Sequence, residues 1–308
     1  TANVTLNGIT IESIHGGSKD AGVTTTSNVT LTSGKVTNVF GGGLDVGVTT
    51  SNVTQQGTAV VTNIYGGNDS GSGDGGDTVT SNVKVIDSSA VNIYGGNYLK
   101  GTTRYANITI QGTSTVTGRL FGGGFKSSIG KSGETGSTTI KIDGGTINKD
   151  INGGSLEGAV YGDTNIKVGI DATGNSTSNA GNISIAGNIY GGGTATTSDY
   201  TTVTVQGDTH ITIDNNTSYP ITFHKSIFGS GNGTKYYNTT DGSTIDLKDM
   251  GTSHENTHEL ISVERTGELR IGNSFIELLG RQDKYNYNKR TSYTLNKITD
   301  GLVIYNNT

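Results

Sequence analysis

Ser27-Asn28-Val29-Thr30, followed by Val39-Phe40-Gly41-Gly42-Gly43, is the stretch whose recurrence sets the fold. The polar-Asn-Val-Thr half returns as Ser51-Asn52-Val53-Thr54, Ser81-Asn82-Val83-Lys84, Ala106-Asn107-Ile108-Thr109 and Gly181-Asn182-Ile183-Ser184. The aromatic-glycine half returns as Tyr65-Gly66-Gly67, Tyr94-Gly95-Gly96, Phe121-Gly122-Gly123-Gly124 and Tyr190-Gly191-Gly192-Gly193, with weaker copies at His15-Gly16-Gly17, Tyr161-Gly162 and Phe228-Gly229. From Gly16 to Gly41, Gly66, Gly95 and Gly122 the steps are 25, 25, 29 and 27 residues, which suits one coil of a solenoid apiece. Around each glycine cluster Val and Ile alternate with polar residues, as in Ile140-Lys141-Ile142, the period of a half-buried strand. Two such strands in fixed phase per coil, stacked coil on coil, satisfy their backbones above and below and line up their Val and Ile inside. The expected fold is all-β: a right-handed parallel β-helix of roughly 25-residue coils.

Composition agrees. Fifty glycines against one proline would suggest disorder if the apolar residues were scattered, but they fall in short alternating runs. Repeated glycines are expected at a repeated corner, where a sharp turn calls for positive φ. The chain has no cysteine, so a long continuous core rather than disulfides must supply its stability. A net charge of -5 without a basic run excludes the clustered Lys and Arg that nucleic acid requires. No apolar run approaches the roughly 20 residues needed to cross a bilayer, so no membrane insertion is expected. Thr1 opens directly into strand-like sequence and the chain stops at Asn306-Asn307-Thr308, as expected of a mature fragment of something larger.

Residues 1–245 read as the Gly-rich repeats. Residues 246–308 hold only five of the 50 glycines and read as further coils with different corners, one continuous domain, a terminal cap being the competing reading. The longer steps imply loops bulging at Asn68 to Asp77 and Lys126 to Gly136, where binding specificity can vary.

The polar-Asn-Val-Thr strands and aromatic-glycine corners resemble the parallel β-helix (pectin-lyase-like) domains of large cell-surface proteins of Gram-positive bacteria, over roughly residues 1–235. The resemblance implies an extracellular, cell-surface adhesin or structural stalk module, non-catalytic, with host glycan, matrix protein or neighbouring domains of the same protein as partners. Because similar folds serve polysaccharide lyases and glycoside hydrolases, a polysaccharide-active enzyme is the alternative.

Candidate sites follow from residue chemistry. Phe40, Tyr65, Tyr94, Phe121 and Tyr190 occupy one repeat phase and are expected to form a column along one edge; exposed, it would stack sugar rings, and otherwise it would pack over the glycine corners. Their neighbours Val39, Ile64, Ile93, Leu120 and Ile189 are the better core candidates by alternation. Asp69, Asp74 and Asp77 crowd a Gly-rich loop of the kind that gives hard cations several oxygen ligands, so calcium is the candidate ion, the competing reading being a flexible acidic loop without a site; no other cofactor is expected. Asp143, Asp150, Glu157, Asp163 and Asp171 crowd another stretch, where a glycosidase would need two carboxylates across one bond. His254-Glu255-Asn256-Thr257-His258 matches the HExxH zinc-protease string, but no apolar helical stripe precedes it, and protease activity is the distant alternative. No residue is assigned a catalytic role. The outward row Thr30, Thr54, Lys84, Thr109, Lys141 and Lys167 contains three lysines, which break the flat hydroxyl array that ice binding would need. The Asn-x-Thr triplets at Asn28, Asn52 and Asn107 follow from the repeat itself rather than marking glycosylation.

Overall fold

A computed structural model describes residues 1–20, 22, 24–69, 76–169, 182–196, 203–213, 221–225, 227–229 and 231, together with the strand backbone at 214, 244–248, 263–264, 268–272, 282–283, 286–290 and 302–305. The described chain is all-β, a parallel β-solenoid. Each of the first coils contributes two strands: β1 (Ala2–Leu6) and β2 (Thr10–His15), β3 (Thr24–Leu31) and β4 (Lys35–Phe40), β5 (Val48–Gln56) and β6 (Val60–Tyr65), β7 (Thr78–Ile86) and β8 (Ser89–Tyr94). The strand β9 (Thr102–Gln111) opens the next coil. Odd-numbered strands pair in parallel in one 12-stranded sheet, which continues through Ser137–Ile142, Thr164–Val168 and Thr209–Asp214 to Thr244–Lys248, Glu268–Gly272 and Leu302–Tyr305. The strands β2, β4, β6 and β8 belong to a second, parallel sheet of 13 strands among the described residues.

Register is set by identical residues meeting identical residues. Val29, Val53, Val83, Ile108, Ile140, Ile166 and Ile211 lie directly above one another in the first sheet, each at most 2 % exposed. In the second sheet Val39, Ile64, Ile93, Leu120, Ile151, Ile189 and Ile227 form the facing row at 0 %. Both rows belong to one core cluster, and each fully buried side chain in it contributes on the order of 1.5–3 kcal/mol. A one-residue slip would turn every one of these side chains to solvent, so the pattern admits a single register.

Polar residues stack just as strictly. On the outer face of the first sheet Asn28 Nδ2 donates to Asn3 Oδ1 at 2.8 Å, Asn52 to Asn28 at 2.9 Å, Asn82 to Asn52 at 2.9 Å and Asn107 to Asn82 at 3.1 Å. These amides, the acceptors of the glycosylation triplets, are thereby held within the ladder. A second ladder on the other sheet runs from Asn92 to Asn63 and from Asn63 to Asn38, both at 2.9 Å. The residue before each asparagine faces inward: Ser27, Ser51 and Ser81 donate their buried hydroxyls to the carbonyls of Gly41, Gly66 and Gly95. Thr138 and Thr164 make the same bond to Gly153 and Gly191, each at 2.6 Å. The first strand of a coil is thus fastened to the corner of the coil's second strand.

Three sequence expectations change. Glycines at the aromatic corners do not serve positive φ: Gly41, Gly66, Gly95 and Gly122 lack it, whereas Gly34, Gly57, Gly112 and the non-glycine Asp87 have it at the opposite turn between the two sheets. Close approach is the reason instead: a Cβ at Gly41, Gly66 or Gly95 would lie 2.3, 2.3 or 2.1 Å from the next coil's glycine carbonyl oxygen. The copy at Asn182-Ile183-Ser184 belongs to the other phase, because Ile183–Ile185 pairs with Gly145–Ile147 in the second sheet; the Asn-bearing strand of that coil is Thr164–Val168. Tyr161-Gly162 is not a corner of the aromatic series either. Asn152-Gly153 takes that rung, with Asn152 in register between Phe121 and Tyr190.

Candidate functional site

Five aromatic residues were singled out, and the fold brings four of them into one continuous stack. The parallel register places His15, Phe40, Tyr65, Tyr94 and Phe121 at the same end of successive strands. Their ring centroids lie 4.7, 5.0, 5.1 and 5.6 Å apart with interplanar angles of 8 to 12°. Rings at a strand spacing of about 4.8 Å stack in this way without further adjustment. Tyr98 and Phe125 close over the outer side, Tyr98 lying 4.6 Å from Tyr65 and Phe125 edge-on to Tyr94 at 5.4 Å. Phe40, Tyr65, Tyr94 and Phe121 are consequently only 2 to 5 % exposed. The column is a covered spine over the glycine corners, and the reading of its rings as an open platform for sugars gives way to a packing one. Burial pushes the Tyr65 hydroxyl well above its ordinary value of 10.0, with Tyr94, Tyr98 and Asp69 adding to the rise. Burial also raises Tyr94, opposed by a hydrogen bond from the Arg119 side chain.

Tyr190 stands apart from the other four. It stacks on Phe228 at 4.8 Å, and between Phe121 and Tyr190 the rung is Asn152. Asn152 is 3 % exposed, and its Oδ1 accepts from the Thr194 hydroxyl at 2.7 Å. Where the column is broken a cleft of about 370 Å³ opens. Its apolar lining is Phe121 and Leu156, and its rim carries Arg119, Lys149 and Asp150. Asp150 uses Oδ1 to accept the backbone N–H of Asn188 at 2.8 Å. Among the described residues no carboxylate stands within 4.0 Å of Lys149 or Arg119. Reading the sequence missed this cleft, although a signal was present: Ile151-Asn152-Gly153-Gly154 is a glycine corner without its ring.

The remaining candidates separate. Asp69 accepts from His15 Nε2 at 3.0 Å, Asp77 pairs with Lys131 Nζ at 3.0 Å, and Asp74 lies outside the described residues. Asp77 also accepts the N–H and hydroxyl of Thr102, both at 2.9 Å. Burial would raise its pKa, but the bonds from Lys131 and Thr102 together outweigh that and hold it below the usual carboxylate value. Lys131 in turn joins Glu134 at 3.5 Å, and Glu134 joins Arg104 at 3.2 Å, so this loop is tied by an ionic cluster. Among the described residues no group of three His, Cys, Asp or Glu is placed to hold a metal.

Acidic residues recur here as acceptors between coils. Asp87 takes the N–H of Thr113 at 2.8 Å, and Asp163 takes that of Asp208 at 2.9 Å, as Asp77 and Asp150 do for Thr102 and Asn188. Asp143 is buried and accepts from Gln111 at 3.4 Å, and Glu157 pairs with Lys126 at 3.2 Å. Asp171 and the string from His254 to His258 lie outside the described residues. Outward residues of the first sheet form the row Thr30, Thr54, Lys84, Thr109, Lys141, Lys167 and Thr212. Compared with known protein families, curated proteins and solved structures, the chain matches none.

Proposed function

We propose that this chain is a rod-like module of an extracellular adhesin on a Gram-positive bacterial surface, related to the pectin-lyase-like β-helix domains it resembles. It would hold ligand-binding surfaces at fixed spacing and meet host glycan or matrix protein through its loops or an outer face. The observation that carries the reading is the unbroken registration of the stack. The inner Val and Ile rows repeat at the coil spacing through the stack, joined over the first coils by two asparagine ladders and the covered aromatic spine, so one coil dictates the position of the next. Side chains projecting from such a stack form straight rows, and Thr30, Thr54, Lys84, Thr109, Lys141 and Lys167 make one such row on a parallel sheet. Rows of that kind suit extended ligands whose own groups repeat.

The test is an array of glycans and matrix proteins probed with the purified protein, with product analysis of every ligand retained. Retention of an uncleaved ligand supports the reading, and replacing Lys84, Lys141 and Lys167 together by Glu would place that ligand on the first sheet if the signal falls. A cleaved ligand overturns it in favour of a polysaccharide-active enzyme. Silence across the array removes the adhesive part and leaves a passive spacer.

A further inference from the structure

We infer that the cleft at Asn152 binds a small ring compound carrying a single acid group. Its place in the fold is the first argument. Strand rungs repeat at about 4.8 Å, so Phe121 and Tyr190, two rungs apart, leave roughly 10 Å between their backbones with no ring between them. Everywhere else from His15 to Phe121 that space is filled by an aromatic ring on each rung. Asn152 is too short to fill it, and its amide oxygen accepts from the Thr194 hydroxyl at 2.7 Å, both residues lining the cleft.

The lining supplies the chemistry. Phe121 and Leu156 belong to the same apolar cluster and line the cleft by their edges, which favours a carbon-rich body. Arg119 and Lys149 at the rim have no ion-pair partner among the described residues. Asp150 carries the one carboxylate of the lining, partly committed to the Asn188 N–H. Two cations against one anion leave a net positive rim beside an apolar lining. Ligands that satisfy both have a ring that enters where the column lacks one, meeting the edges of Phe121 and Leu156, and a carboxylate to receive charge-assisted bonds, which are roughly twice as strong as neutral ones. The volume of about 370 Å³ lies at the lower end of the range of roughly 300–1,000 Å³ for small-molecule sites and holds one or two six-membered rings. An acidic sugar and an aromatic acid share this chemistry.

The inference is independent of the adhesin reading, because it is read with free small molecules; failure of either leaves the other standing. Isothermal titration of the purified protein with glucuronate, benzoate, glucose and sodium sulfate is the experiment. Binding of glucuronate or benzoate, with glucose and sulfate at least about tenfold weaker, is the expected result, and whichever acid binds better identifies an acidic sugar or an aromatic acid as the class. Lys149→Gln removes an exposed charge without touching the core, Arg119→Gln removes a second together with its bond to Tyr94, and each is expected to weaken the bound acid at least about tenfold. Three results overturn the proposal: neither acid binds, glucose or sulfate binds as tightly as the acids, or both variants bind the acid as the parent protein does.

Discussion

Ser51→Ala removes one oxygen atom from the interior and should cost more than its size suggests. Ser51 is fully buried, and its hydroxyl donates to the carbonyl of Gly66 in the corner of the same coil. The carbonyl cannot turn to water once the donor is gone, because the Gly41 corner packs against it so closely that a Cβ there would lie 2.3 Å from the oxygen. Leaving a buried carbonyl unpaired costs about 1–3 kcal/mol, and the tight packing puts the expected value in the upper half of that range. The same column contains its own steric control. Ala106 occupies the equivalent position one coil beyond Ser81, in register with it and fully buried, so a methyl group fits this row without repacking. The reverse change, Ala106→Ser, sets a hydroxyl opposite Gly122 and should add about 0.5–1.5 kcal/mol. Urea unfolding reads both: the midpoint should fall for Ser51→Ala and rise for Ala106→Ser, with the slope unchanged. A midpoint unmoved by Ser51→Ala, or lowered by Ala106→Ser, would refute the view that these hydroxyls fasten strand to corner.

Two further expectations follow from the corners and the spine. Gly66→Ala should destabilise by at least about 2–3 kcal/mol, since its Cβ meets the Gly95 carbonyl oxygen at 2.3 Å and neither backbone has room to yield, whereas Gly133→Ala, with open space but positive φ, should cost only about 1 kcal/mol; thermal melting compares the two. Because burial raises the folded pKa of Tyr65 and Tyr94, the stability they contribute is fully present below the unfolded value of 10.0 and is lost as pH rises past it. Urea midpoints should therefore drop above pH 10.0, and the drop should shrink in Tyr65→Phe with Tyr94→Phe, which Phe40 and Phe121 show the column accepts; an equal drop in the double variant would exclude these hydroxyls as its cause.

The repeat was legible because the solenoid's period is written in side chains that stack on their own kind. Val29 over Val53 and Asn28 over Asn52 are the same signal in sequence and in space, so the strands, their parallel pairing and the inner rows follow from the pattern. Coils after Phe121 were less legible for the same reason. At Asn152 the aromatic mark is missing and Tyr161-Gly162 imitates it, and at Thr139 the asparagine is missing while Asn182 imitates it in the other phase. Local motifs cannot separate the two phases when both strands carry the same residue types; only the partner above and below does. Exposure of the aromatic column was illegible because the residues that cover it, Tyr98 and Phe125, come from loops whose position depends on the stack they close over. The acidic residues' part in the stack was illegible because an aspartate that accepts a neighbouring coil's N–H looks, in sequence, like any solvated carboxylate.

The bonds between coils have a direction, and it governs how the molecule would respond to force. Gly16 N–H to Phe40 and Gly41 N–H to Tyr65, at 3.0 and 2.9 Å, run from one coil to the next, as do the ladder bonds of both sheets. A load applied between the two ends of the stack therefore opens these bonds one coil at a time instead of shearing many together, because each coil holds only its neighbours. A 25-residue coil released in this way pays out roughly 80–90 Å of chain at about 3.3–3.6 Å per residue. Under tension the same stack that is stiff at rest becomes a reel, lengthening one coil at a time in steps set by each coil's length and rewinding on the rows that remain.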